Sequence, residues 1–299
     1  MKNYFKRTAG LFKTAFISWK AKDPVSESSI IAYCAIFSLP GLLVLVINVA
    51  GFFFEKDAVG SHLQAQMASS MGADAAKQIE AIVETAGKNK NSVIATIIGI
   101  ITIILGATGV FAQFQRSLNR VWEVKAKPSK SGILTYLKTR LFSFGLIVSI
   151  AFLLLISLVL SSVIVALATW AKTHWPDYLM FLFEVVNFVI SIAIITVLFA
   201  LMFKILPDAK IKWRYVWMGA FVTALLFVIA KTALGLYFGK ANPGSGYGAG
   251  GSVILILLWT SYSSLIVFYG AEFTKAYADL YHGYAVPTEI AVKKKEVKS

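Results

Sequence analysis

Ionisable and polar side chains inside long apolar runs are where this chain holds groups capable of chemistry. Lys231 lies within AFVTALLFVIAKTALGLYF and Glu184 within MFLFEVVNFVISIAI. A charge at hydrocarbon depth is costly and is kept beside a partner, water or a transport pathway. Counted along helices rising 1.5 Å per residue, both lie in the outer half of their segments, within about 4–5 Å of one depth. One expectation is a Lys231–Glu184 pair on a substrate or proton pathway. The other is that Lys231 snorkels outward while Glu184 reaches interfacial water. At the opposite end of the apolar segments, Arg116 and Arg120 stand one helical turn apart, Gln113 precedes them, and Glu272 closes the final run. A carboxylate–guanidinium pair there is geometrically allowed. It would either bind lipid headgroups or substrate, or serve as an interfacial pair fixing helix ends.

Other chemistry has no support in the sequence. His62, His174 and His282 lie in separate regions, and Cys34 is the single cysteine. There is no HExxH, CxxC, GxxxxGK[ST] or GxSxG, so zinc, dithiol, P-loop and nucleophile-elbow chemistry lack their residues. The acidic residues do not cluster as a two-metal site requires. No catalytic residue, metal or cofactor is expected, and the chain does not read as an enzyme.

The elements that must position these groups follow from composition. Of 299 residues, 58% are apolar and 15% charged, with mean hydropathy +0.72. A soluble chain holds about 25% charged residues, so the apolar excess faces lipid. Six segments reach the roughly 20 residues a bilayer core demands: 29–54, 93–114, 141–169, 179–206, 215–239 and 252–273. The expected fold is all-α, a polytopic membrane protein with six transmembrane helices and short amphipathic interfacial helices. It divides into an N-terminal amphipathic segment (1–28), the membrane domain (29–273) with an external helical loop (55–92), and a basic tail (274–299).

Charge sets the orientation. The net charge is +14, which in a soluble chain would point to nucleic acid. Sorted by connection, 22 Lys and Arg fall in the two termini and the second and fourth loops, and 6 in the alternate loops. By the positive-inside rule both termini are cytoplasmic, and the basic excess records topology. No nucleic-acid partner is expected.

Around this frame, Phe5, Phe12, Phe16 and Trp19 form a stripe flanked by Lys6, Lys13 and Lys20. This helix either lies on the inner membrane surface or packs on the protein's own spans. In the second span Ala95, Gly99, Thr102, Gly106 and Gly109 form a small-residue seam for close helix approach, continued by Gln113. Pro40 predicts a kink. The glycine-rich connection GKANPGSGYGAGGS (239–252) reads as an external loop or a re-entrant segment. The final KKKEVKS reads as a solvated tail near anionic lipid.

Four pieces occur in order: GVFAQFQRSLNRVW (109–122), ILPDAKIKWRYVWMGA (205–220), AKTALGLYF (230–238) and LLWTSYSSLIVFYGAEF (257–273). With AYCAIFSLPGLL in the first span, the chain resembles the YihY/BrkB family of bacterial inner-membrane proteins over residues 29–273. The resemblance implies six membrane helices and no settled activity, with transport or phospholipid movement among the suggested roles. The family's former ribonuclease BN label is regarded as erroneous, in keeping with the absence of nuclease residues. Matching positions are Arg116, Asn119, Trp122, Pro207, Lys231, Tyr237, Trp259, Gly270 and Glu272. Two positions depart: Val228 stands where many members carry an acidic residue, and Cys34 where a second aromatic is common. The first makes Glu184 the replacement carboxylate for Lys231.

Together these features point to a transporter or lipid-translocating protein of the bacterial inner membrane that does not use ATP. Its substrate would be an anionic amphiphile such as phospholipid. A membrane scaffold without transport is the alternative. The expected partners are membrane lipids, anionic phospholipid above all, and a second copy of the chain.

Overall fold

The computed structural model describes residues 2–50, 109–126, 180–241, 251–281, 286–288 and 291–293. Scattered positions between 60 and 80 and between 243 and 247 are also described. Helix α1 spans Lys2–Ala21 and α2 spans Pro24–Ala50. A third helical segment, α3, covers 109–121 and leads into strand β1, Val124–Ala126. Helix α4 is Met180–Ile205, β2 Ala209–Lys210, α5 Trp213–Ala241 and α6 Gly251–Leu280. Short strands β3 (Val286–Pro287) and β4 (Ala291–Lys293) follow.

Among the described residues, three stretches are long and apolar enough to cross a membrane: Val185–Ile205, Trp213–Phe238 and Val253–Leu280. Most of their surface stays uncovered by protein, as lipid-facing helices require. Phe188, Val189, Phe221, Ile229 and Leu236 are all exposed. The expected span 141–169 lies outside the described residues, as does most of 93–114. Of the small-residue seam only Gly109 is described, and a Cβ there would meet nothing within 4 Å.

Helix boundaries differ from the hydropathy reading in two places. Helix α2 begins at Pro24, five residues before the expected span. Proline at a first helical position is favoured because its missing N–H is not needed there. Ser28 and Ser29 turn their hydroxyls back to the Val25 carbonyl, so the polar stretch SESS still supports a helix. Helix α6 continues to Leu280, past the expected end at 273. That extra length is amphipathic and packs at this end of the bundle, where Tyr277 meets Tyr215 and Phe273.

Of the expected solvated tail, 293–299, only Lys293 is described, and the residues before it pair. Strand β4 runs antiparallel to β1, matching Lys125 with Val292, and β3 runs antiparallel to β2. Thr288 also donates its N–H to the Asp208 carbonyl at 3.0 Å. Within residues 55–92, expected to be an external loop, Met67 packs against the cluster of Phe238, Leu255, Ile256 and Trp259 at the far end of α5 and α6.

Helix α6 is the hub, packing against α1, α2 and α5. Its crossing with α5 is close and reciprocal. Gly219 faces Thr274, and Gly270 faces Thr223. Each threonine is fully buried and donates its hydroxyl to the glycine carbonyl one turn back on its own helix, at 2.6 Å for Thr223 and 2.7 Å for Thr274. The same Gly-x-x-x-Thr pattern on antiparallel helices therefore interlocks, in the manner of small-residue contacts between membrane helices. This crossing carries Glu272 beside its partners.

Candidate functional site

Residues 113, 117 and 120 recur at spacings of four and three, which puts Gln113, Ser117 and Arg120 on one face of α3. That face meets the first turn of α2. Glu27 accepts a hydrogen bond from Gln113 Nε2 at 3.4 Å and another from Ser117 Oγ, and it pairs with Arg120. Glu27 is only 8% exposed, so three donors satisfy a carboxylate removed from water. Its place in the first helical turn adds the favourable end of the helix dipole.

A second pair lies alongside. Lys22, from the α1–α2 corner, places Nζ 2.6 Å from Glu272 Oε1 and donates to the Val121 carbonyl at 3.1 Å. The ammonium reaches Oε1 off the hydrogen-bonding direction, so the contact is an ion pair first. Glu272 is 2% exposed. A third pair, Lys275 with Glu123, closes the row. Three cations thus face three carboxylates. Between the first two pairs lies a cavity of about 20 Å³, walled by Trp19, Lys22, Glu27, Arg120, Phe268 and Glu272. That is room for about one water molecule.

Backbone strain gathers here too. Among the described residues, the two non-glycine positions with positive φ are Asp23 (50°) and Glu123 (56°). Both sit just past a helix C-terminus, where a left-handed residue reverses the chain. Both also border the ion pairs. Non-glycine residues in this region cost on the order of 1 kcal/mol or more and persist where surrounding contacts hold them.

Lys275 holds the Glu123 carboxyl below its ordinary value of 4.5. A depressed carboxyl contributes stability above its unfolded pKa and loses it as pH falls through the folded one. The difference in thermal stability between the wild type and Glu123→Gln is therefore expected to be constant at neutral pH. It should vanish as pH drops through and below the ordinary carboxylate range, as measured by unfolding scans across pH. Glu123 is about half exposed, so the difference will be small.

On the neighbouring face of α3, Asn119 and Asp208 form a reciprocal clasp. Asn119 Nδ2 donates to Asp208 Oδ2 and the Asp208 N–H donates to Asn119 Oδ1, both at 2.7 Å; Gln115 Nε2 adds a third bond at 3.0 Å. The clasp ties α3 to the α4–α5 connection. Among the described residues, no three His, Cys, Asp or Glu side chains come together to hold a metal.

The expected site residues separate into groups. Gln113, Arg120 and Glu272 are brought together, with a pairing different from the one anticipated. Arg120 pairs with Glu27, and Glu272 with Lys22. Arg116 points away, exposed, and donates Nε to the Ala112 carbonyl at 3.3 Å. Lys231 is half-buried and makes no ion pair with any described side chain. The ring contact Phe199–Phe227 sets the register of α4 against α5. At 1.5 Å per residue, the Glu184 backbone lies about 22 Å along α4 from that contact and the Lys231 backbone about 6 Å along α5. The Glu184 side chain lies outside the described residues. Lys22, Glu27, Ser117 and Glu123 were not singled out in the sequence. A carboxylate in the first turn of an apolar helix, Glu27, was the available signal.

Asn119, Arg120, Asp208 and Glu272 fall within the pieces that carry the family resemblance, and comparison bears that resemblance out. The family described as virulence factor BrkB matches residues 16–292. The chain belongs to the BrkB family. Among BrkB relatives, a UPF0761 membrane protein of Pseudoalteromonas atlantica is 24% identical over 92% of this chain and 88% of its own length. Another UPF0761 membrane protein, from Tolumonas auensis, is 30% identical over 62% of this chain and 58% of its own. A Bacillus subtilis relative named as ribonuclease-like, YfkH, is 23% identical over 87% of this chain and 92% of its own. No solved structure matches the chain. The BrkB assignment makes this a membrane protein.

Proposed function

We propose that this BrkB-family chain moves an anionic amphiphile, such as phospholipid, across the bacterial inner membrane without nucleotide hydrolysis. In this reading both termini are cytoplasmic, and the ion pairs around Glu27 and Glu272 close the inner end of the path. The supporting observation is the row of oppositely charged side chains, two of its carboxylates buried, around a cavity at one end of apolar helices. Buried pairs gain little stability over apolar packing. They can, however, exchange partners, which suits an opening and closing seal. Lys231, half-buried and unpaired among the described residues, is the candidate contact for the anionic group deeper in the path.

A membrane scaffold is the second reading. It draws on the Asn119–Asp208 clasp, which is fully satisfied and built to hold elements still. Purified protein in liposomes, assayed with fluorescent phosphatidylglycerol and no nucleotide, separates the two. Wild type is expected to accelerate lipid movement over protein-free vesicles. Lys231→Ala should be roughly tenfold slower, the loss of one charge-assisted contact. Absence of acceleration by the wild type removes the transport reading and leaves the scaffold.

A further inference from the structure

Helix α1 has one face committed to the bundle. Ala15 is fully buried, and Trp19 donates Nε1 to the Leu265 carbonyl at 3.2 Å. Phe12 lies 4.8 Å, ring to ring, from Phe273. The other edge is uncovered. Phe16 is 52% and Ile17 58% exposed, and both lie between the exposed Lys13 and Lys20. The exposed apolar surface continues past the Asp23 corner onto α2 at Val25, Tyr33 and Phe37. Residues 1–22 hold six Lys and Arg and no acidic residue.

We propose that this edge of α1 docks on the surface of an anionic bilayer leaflet. Phe16 and Ile17 enter the boundary between headgroups and acyl chains. Lys13 and Lys20 extend their stems along that boundary to anionic headgroups. Charge favours lipid over a second copy of the chain, because a protein of net charge +14 repels itself at a basic edge. Continuity with α2 places the edge where that apolar helix enters the bilayer. The docking holds whether or not the chain moves lipid.

The test uses the full chain in nanodiscs, with Cys34→Ser and a single Ile17→Cys carrying a spin label. Access of the label to oxygen and to an aqueous nickel chelate reports its depth. In discs containing phosphatidylglycerol the label is expected at the headgroup boundary, sheltered from nickel. In phosphatidylcholine alone it should be more exposed to water. Reversing Lys13 and Lys20 to Glu should lower the ratio of sheltered to exposed label by roughly tenfold or more, given what each basic residue contributes at an anionic surface. A label at Tyr33→Cys, unchanged by the reversals, shows that the bundle is intact. A water-exposed Ile17 label in phosphatidylglycerol overturns the proposal. So does shelter that ignores both lipid charge and the reversals, and so does shelter that requires two chains per disc, which would mean a second copy covers the edge.

Discussion

Gly270→Ala is expected to destabilise the protein severely, and Gly270→Val to leave little folded material. A Cβ built at Gly270 falls 2.8 Å from Thr223 Cβ and 2.9 Å from its Cγ2, and closer still to Oγ1. Thr223 cannot rotate away cheaply, because its hydroxyl is committed to the Gly219 carbonyl and the residue is fully buried. The two helices must therefore separate. Separation also loosens the second contact, where Gly219 meets Thr274, and the layer of Val216, Ala220, Val267 and Ala271 between them. Overpacking of this kind costs about 1–3 kcal/mol and occasionally more; two coupled contacts put alanine at the upper end. Thermal unfolding in detergent, followed by size-exclusion chromatography, measures it. Adding Thr223→Gly to Gly270→Ala removes the clashing atoms and should recover part of the loss. An alanine variant as stable as wild type would refute the close crossing.

Glu27→Leu should be nearly as damaging, by a different route. It removes the acceptor for Gln113 and Ser117 and the counter-charge for Arg120 at once. Arg120 is half exposed and can turn to water, but Gln113 and Ser117 are buried and cannot. Breaking a buried pair typically costs about 3–5 kcal/mol, discounted here for the exposed guanidinium. Glu27→Gln keeps an acceptor oxygen and should lose about half as much. Urea unfolding of the reconstituted protein orders the three. If leucine and glutamine are equally mild, Glu27 does not organise this end of the bundle.

The last three apolar helices were legible in the sequence because length and hydropathy decide them. Residues 179–206 were expected and Met180–Ile205 is helical. Charge pairing was not legible in the same way. Arg120 and Glu272 are both conspicuous, yet each takes its partner from the short stretch Lys22–Glu27, read as part of a surface segment. Pairing depends on where helices cross, and no local periodicity reports that. The Gly219 and Gly270 crossing was missed for a related reason. One Gly-x-x-x-Thr is commonplace, and its meaning comes only from the matching pattern on the neighbouring helix. Helix α1 follows the reading in which it packs on the protein's own helices. The aromatic stripe divides, with Phe12 and Trp19 on α6 and Phe16 left outside.

The ties at the charged end also impose an order on biosynthesis. Trp19 and its acceptor Leu265 are 246 residues apart, and Lys22 meets Glu272 across nearly the same span of chain. A ribosome delivers α1 and α2 long before α6. During that interval Lys22 lacks its carboxylate, while strands β1 and β2 wait for 286–293. This end of the molecule is therefore completed last, so a slow or failed insertion of α6 would leave the early helices open to membrane proteases. Defects in Glu272 or Gly270 should then register in cells as lowered protein abundance before any loss of activity per molecule.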